Sequence, residues 1–318
     1  MKKSAFVLVV CLALVSVSVP SFAVYLREGY FSNDFIMSKN LSKSQVDLSA
    51  QIEYTDISAI YNSNTDGMFD PVHSAFKQTT LTVVPLKAAY GITDDLSVRI
   101  TFPLVSWRYL LNSGAARGDY GLGDIRLEGL YNIAKENGNM PSIAVNVGVK
   151  AASGKNWNWL GKNEYPPIGT GSTDLWISGI FTKNLWGLDG KALVGYYFPG
   201  VNPSPIFNFL PGTELLCSAS LGCAKGQLEY GGEIWGAFAG PIMAISPVTG
   251  PNQMIEDSEI SKLFFSPYVN YKMSDSLLLK AVADIPFGTP ASKGLTPTFL
   301  MLDWMRGATY TIGATWTI

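Results

Sequence analysis

Between residues 46 and 55 apolar and polar side chains alternate with a period of two. Val46, Leu48, Ala50, Ile52 and Tyr54 share one parity, and Asp47, Ser49, Gln51 and Glu53 the other. A β-strand turns successive side chains to opposite faces, so this segment has one oily face and one acidic or amide face. The chain ends the same way: Tyr310, Ile312 and Trp316 alternate with Thr311, Thr315 and Thr317. Comparable strands are predicted over 79–90, 96–104, 125–132, 142–150, 174–181, 191–198, 227–234, 263–273 and 277–287. A further strand over 241–248 is included because with it short turns and long loops alternate along the whole chain. That makes twelve strands. Tight turns are expected at Gly91, Lys135, Asn184 and Ser274, and long loops over 56–77, 104–120, 153–170, 199–226, 249–261 and 288–303.

An even number of antiparallel strands, short turns on one side and long loops on the other, is the arrangement of an outer-membrane barrel with both ends in the periplasm. Composition agrees with that assignment. Charged residues are 15% of the chain, below the roughly 25% of a soluble domain. Beyond the first 23 residues no apolar run reaches the 18 or more positions of a helical span. A chain that faces hydrocarbon without helices must close its sheet on itself, because lipid offers the backbone no hydrogen-bond partner. The fold class expected is therefore all-β, a transmembrane antiparallel β-barrel over 46–318.

The N-terminus fits the same compartment. Lys2 and Lys3 precede an apolar stretch from Ala5 to Val19, then Pro20 and Ser21-Phe22-Ala23, which reads as a secretory signal peptide over 1–23 cleaved after Ala23. Residues 24–45 form a segment before the first strand and are expected in the periplasm or folded into the lumen. Without the signal peptide the chain carries 21 basic and 25 acidic residues, so no nucleic-acid partner is expected. The partners expected are outer-membrane lipid, lipopolysaccharide and the barrel-assembly machinery.

Chemical motifs are sparse. No zinc-protease, nucleophile-elbow, P-loop or dinucleotide pattern occurs, and Gly121-Leu122-Gly123 enters a strand rather than a helix. The single histidine, His73, lies in a predicted external loop, so no catalytic residue, metal site or cofactor is assigned. The charged residues on the polar parity are Glu53, Arg99, Asp124, Arg126, Glu128, Lys150, Asp174, Glu229, Glu233, Lys280 and Asp284. They are assigned to the lumen, where opposite signs pair across strands or meet a solute. Trp157, Trp159, Phe207 and Phe209 fall in long loops, as entry aromatics for a hydrophobic solute or as loop packing. Trp107, Tyr109, Tyr131, Trp186, Phe198, Tyr230, Phe287 and Trp304 lie near predicted strand ends, where membrane-interface girdles belong. Cys217 and Cys223, placed in the loop over 199–226, are expected to form a local disulfide in an oxidising periplasm.

Ala89-Tyr90-Gly91-Ile92-Thr93-Asp94-Asp95-Leu96-Ser97-Val98, then Phe102-Pro103-Leu104, then Gly121-Leu122-Gly123-Asp124-Ile125-Arg126-Leu127, together with Gly169-Thr170-Gly171-Ser172-Thr173-Asp174, resemble the outer-membrane family of the MetA pathway of phenol degradation. The resemblance runs from about residue 79 to the C-terminus. It implies a Gram-negative outer-membrane barrel for uptake of aromatic or other hydrophobic compounds, and it transfers no catalytic residue. One departure is Ile318, where barrel proteins commonly end in Phe. The expectation is a passive channel for small hydrophobic or aromatic compounds. The competing reading is a structural or surface-interaction barrel with a closed lumen, and an outer-membrane enzyme ranks third.

Overall fold

The computed structural model describes residues 40–62, 67–68, 76–111, 114, 116–154, 168–201, 208–210, 212–241, 243–245, 253–254, 260–287 and 305–318. Within them the chain forms β1 (Val46–Asn62), β2 (Gly67–Met68), β3 (Phe76–Gly91), β4 (Leu96–Leu111), β5 (Ala116–Leu122), β6 (Arg126–Ala134), β7 (Ser142–Lys150) and β8 (Asp174–Leu185). It continues with β9 (Leu188–Phe198), β10 (Asn208–Leu210), β11 (Glu214–Lys225), β12 (Leu228–Ala239), β13 (Met243–Ile245), β14 (Gln253–Met254), β15 (Ile260–Lys272), β16 (Leu277–Phe287) and β17 (Met305–Thr317). The main sheet has 14 strands, of which β2 and β5 are short extensions of β1 and β4. The other twelve pair antiparallel in sequence order and close where β17 meets β1. A separate small sheet joins β10, β13 and β14.

The two amphipathic segments first seen in the sequence seal the ring. Leu48 lies opposite Trp316, Ile52 opposite Ile312 and Tyr54 opposite Tyr310. Val46 and Ile318 exchange both backbone bonds, at 3.0 and 2.8 Å, so the last residue closes the ladder. The apolar parity points outward: Ile52 is 57% exposed and Ile312 70%, while Gln51, Glu53 and Thr311 are buried. A continuous belt of outward Leu, Ile, Val and aromatic side chains in water would be an aggregation surface; in a bilayer it is the lipid contact.

Connections at one end of the barrel contain at most seven residues, and those at the other at least 13. One of the two shortest, between β8 and β9, has positive φ at Trp186 and Gly187, the primed hairpin geometry that matches strand twist. β4 outruns its partner β6 and pairs instead with β5, from Leu104–Leu122 to Leu110–Ala116, so the stretch expected as a loop over 104–120 is a hairpin that extends the wall.

The strand count is twelve, but one strand is not where alternation placed it. Among the described residues, 241–248 contribute only the three-residue β13 of the small sheet, whereas β11 crosses inside the predicted loop over 199–226. The reason lies in side-chain size. β11 is rich in Ser, Ala, Gly and Cys, which give little contrast between its faces, and Gly236 looks like a turn yet sits inside β12. A Cβ on Gly236 would lie 2.8 Å from Leu263 Cδ2, so the glycine there admits a neighbouring side chain rather than bending the chain.

This relocation also overturns the expected disulfide. Cys217 and Cys223 lie on the one strand β11, opposite Gly236 and Tyr230 of β12. Six positions of extended chain separate them by about 20 Å, well beyond the roughly 7 Å between Cα atoms that a disulfide spans. Trp107 departs from the interface reading as well: it is 2% exposed and faces inward with Val105. Tyr131, Trp186, Phe198, Tyr230 and Phe287 are exposed, whereas Trp304, like His73, lies outside the described residues and the side chain of Tyr109 is not described.

Candidate functional site in the barrel lumen

Inward positions of β4, β6, β7, β8 and β9 build a connected polar ladder. Arg99 faces Glu128 across β4 and β6, and its Nη2 lies 2.7 Å from Glu128 Oε1 with Nε at 3.1 Å. Asn146 Nδ2 donates to Glu128 Oε2 at 3.3 Å and its Oδ1 accepts the Trp176 indole N–H at 2.9 Å. The Trp176 ring stacks on Tyr197 with centroids 6.0 Å apart, and the Tyr197 hydroxyl donates to Asp174. The ladder therefore passes from an arginine to a carboxylate through two aromatic rings without leaving the inner wall.

At the long-loop end the ladder becomes a knot of two acids and one base. Lys150 Nζ is 2.5 Å from Asp174 Oδ2 and 3.5 Å from Asp124 Oδ2, all three side chains being nearly inaccessible. Removing three charges from water is costly unless every lone pair and proton is used. Here Asp124 also accepts from the Gly154 N–H, the Thr170 N–H and the Thr170 hydroxyl, each at 2.8 Å. Asp174 accepts from the Gly200 N–H at 2.8 Å, and Lys150 donates to Thr170 Oγ1. Peptide dipoles and hydroxyls thus share with the Lys150 ammonium the stabilisation of the second negative charge. Glycine is required at the crossing: a Cβ on Gly169 would lie 2.6 Å from Asp124 Oδ1 and 2.6 Å from the Gly154 Cα. Thr170, Ser172 and Gly154 were not singled out in the sequence; the glycine-flanked stretch at 169–174 marked the place without giving the contacts.

The remaining inward charges are distributed differently. Glu53 is 2% exposed opposite Thr311, and Arg126 is 3% exposed between Thr101 and Lys150. Glu233 and Asp284 are buried on β12 and β16, with Ser266 of β15 in register with the first and donating to the second, while Glu229 and Lys280 are half-buried opposite Asn270. Trp157, Trp159 and Phe207 lie outside the described residues, and Phe209 is placed only as a backbone position of β10, opposite Ala244. Among the described residues no group of three or more His, Cys, Asp or Glu side chains is arranged to hold a metal ion.

A second feature of the inner wall is apolar. Leu130, Ala144, Ile180, Leu193, Leu216 and Ala237 are buried on successive strands from β6 to β12 and cluster with Trp176 and Tyr197. Alternation alone assigns inward positions to polar residues, so these were missed. The available signal was the loss of contrast in runs such as Leu175-Trp176-Ile177-Ser178-Gly179-Ile180-Phe181, where both parities are apolar because both faces meet apolar surroundings. Leu41 completes the cluster at 3% exposure. Its N–H donates to Ser97 Oγ at 2.9 Å, Ser44 N–H donates to Gly91 O at 2.8 Å and Lys43 N–H to Asp94 Oδ1 at 3.0 Å. Residues 40–45 thus fold over the turn between β3 and β4 and direct Leu41 inward; residues 24–39 lie outside the described residues.

No protein-family model matches the chain and no curated protein sequence matches it, so the resemblance to the phenol-degradation barrels is not supported by a family match. Among solved structures, the COG4313 outer membrane channel from Pseudomonas putida F1 superposes with a TM-score of 0.69 at 12% identity, covering 90% of this chain and 99% of that one. The CymD monoaromatic hydrocarbon channel, at 9% identity, covers 93% and 94% with a TM-score of 0.43. The first likeness shows the fold. With the closed ring and its apolar outer belt, it places the protein in the Gram-negative outer membrane, in contact with lipid.

Proposed function

We propose that the barrel is a channel for passive uptake of small hydrophobic or aromatic compounds across the outer membrane. The observation that carries this reading is the apolar layer inside the ring, Leu130, Ala144, Ile180, Leu193, Leu216 and Ala237 with the Trp176–Tyr197 stack. A pore for hydrated solutes gains nothing from such a layer, whereas an uncharged aromatic loses its water shell there at about 25 cal/mol per Å² of apolar surface. The similarity in fold to an outer membrane channel agrees with this reading but does not choose the solute. In this reading the aromatics Trp157, Trp159, Phe207 and Phe209 gather the solute at the long loops. The barrel-assembly machinery inserts the chain, and lipopolysaccharide surrounds its outer rim.

Uptake of a radiolabelled monoaromatic compound by Gram-negative cells tests the proposal, because the lipopolysaccharide leaflet slows unassisted entry. Cells carrying the folded barrel should take it up several-fold faster than cells without it, and Ile180→Lys should remove most of the gain by placing a charge in the apolar layer. Equal uptake with and without the barrel rejects the channel.

A further inference from the structure

The wall formed by β12, β15 and β16, across the ring from the Lys150 knot, holds a row of buried acceptors, two of whose carboxylate oxygens lack a hydrogen-bond donor among the described residues. Glu233 lies in register with Ser266, and Ser266 Oγ donates to Asp284 Oδ1 at 2.5 Å. Asp284 adjoins Thr309, whose hydroxyl is 2.8 Å from that of Thr55. Glu233 is 3% exposed, and Ser266 and Asp284 are fully buried. The Ser266 proton is committed to Asp284 and its oxygen accepts the Trp235 indole N–H at 2.9 Å. Ser266 therefore has no proton for the other oxygens: among the described residues, Glu233 Oε2 and Asp284 Oδ2 are buried with no hydrogen-bond partner.

The contrast with the opposite wall is chemical. Asp124 and Asp174 share the Lys150 ammonium and peptide N–H donors, while Glu233 and Asp284 leave an oxygen each without a donor. Lys280, four residues away on the same face of β16, reaches Asp284 through its field, and Lys191 stands on the Glu233 row beyond Ser220. Glu229 adds a third carboxylate to the inward face of β12. Beside the pair, Trp235 and Phe264 stack face to face with centroids 4.3 Å apart, and an aromatic wall next to carboxylates suits a weakly hydrated cation.

We propose that Glu233 and Asp284 form a cation-binding station in the lumen, which takes an alkali cation or the ammonium group of a primary amine. The station rests on reading the lumen as a solute path. It gives the path a charge preference that the apolar layer does not.

Planar-bilayer recordings on protein extracted from outer membranes test this under an approximately tenfold KCl gradient. The reversal potential should show K⁺ preferred over Cl⁻ by about fivefold, falling to about onefold in the double variant Glu233→Gln with Asp284→Asn. Butylammonium added to the wild type should reduce the K⁺ current if the station also holds amines, and leave it unchanged if it holds only alkali cations; either result with K⁺ preference supports the station. An anion preference, a selectivity unchanged in a double variant that still shifts on heating in gels as a folded barrel, or a folded wild type without conductance overturns it. If the double variant does not fold, the wild-type reversal potential and the single variant Ser266→Ala, which removes the hydroxyl that orients Asp284 and should halve the preference, decide the question. Aromatic uptake that persists without cation preference retains the channel and removes only the station.

Discussion

At the scale of single residues, the Lys150 knot makes the sharpest demand. Lys150→Met would leave Asp124 and Asp174 buried without their shared cation, and breaking such a pair on one side costs about 3–5 kcal/mol. Urea unfolding of the liposome-inserted barrel should show this loss, and a change under 1 kcal/mol would mean that water replaces the ammonium. Arg99, Glu128, Asp124, Lys150 and Asp174 were legible as inward charges because they alternate with apolar neighbours. Their partnerships were not, because strand register depends on turn geometry that alternation does not specify. For Cys217 and Cys223 the account predicts that a thiol-reactive maleimide labels both in denatured, unreduced protein. Labelling that appears only after reduction would restore the disulfide.

At the scale of elements, the short turns carry charge pairs that fasten one hairpin to the next. Lys183 Nζ donates to Glu136 Oε1 at 2.8 Å and the Asn184 N–H to its Oε2 at 3.2 Å; the lysine bond first, then the peptide bond, holds the Glu136 carboxyl below its ordinary 4.5. A lowered folded-state value means the contribution is present above pH 4.5 and is lost as pH falls through the folded value. Lys135 is raised above 10.5, mainly by its hydrogen bond to Asp95, so its contribution is present below that pH and disappears as pH rises through the raised value. The backbone amide signal of Asn184 should therefore titrate with a midpoint below 4.5; a midpoint at or above 4.5 would show that the contact does not form. Eleven of the twelve wall strands were readable by period, whereas β11 was not, since alternation becomes visible only when the two faces differ in size and polarity.

At the scale of the whole molecule, closure follows from the chemistry of the two terminal strands. Leu48, Ile52 and Tyr54 meet Trp316, Ile312 and Tyr310 on the outside, while Glu53 and Thr311 meet within, so only the closed ring satisfies both the backbone and the two solvents. The interior was expected to be polar throughout. The structure instead divides it between a charge ladder and an apolar layer capped by Leu41, and the latter motivates the solute assignment. The most direct test of that assignment is a photoreactive monoaromatic probe irradiated with the barrel in lipid and located by peptide sequencing. The account predicts adducts at the inward Ala144, Ile180 and Leu193, suppressed by excess unlabelled aromatic. Adducts confined to lipid-facing residues such as Val147, Ile177 and Tyr196, or insensitive to the competitor, would contradict it.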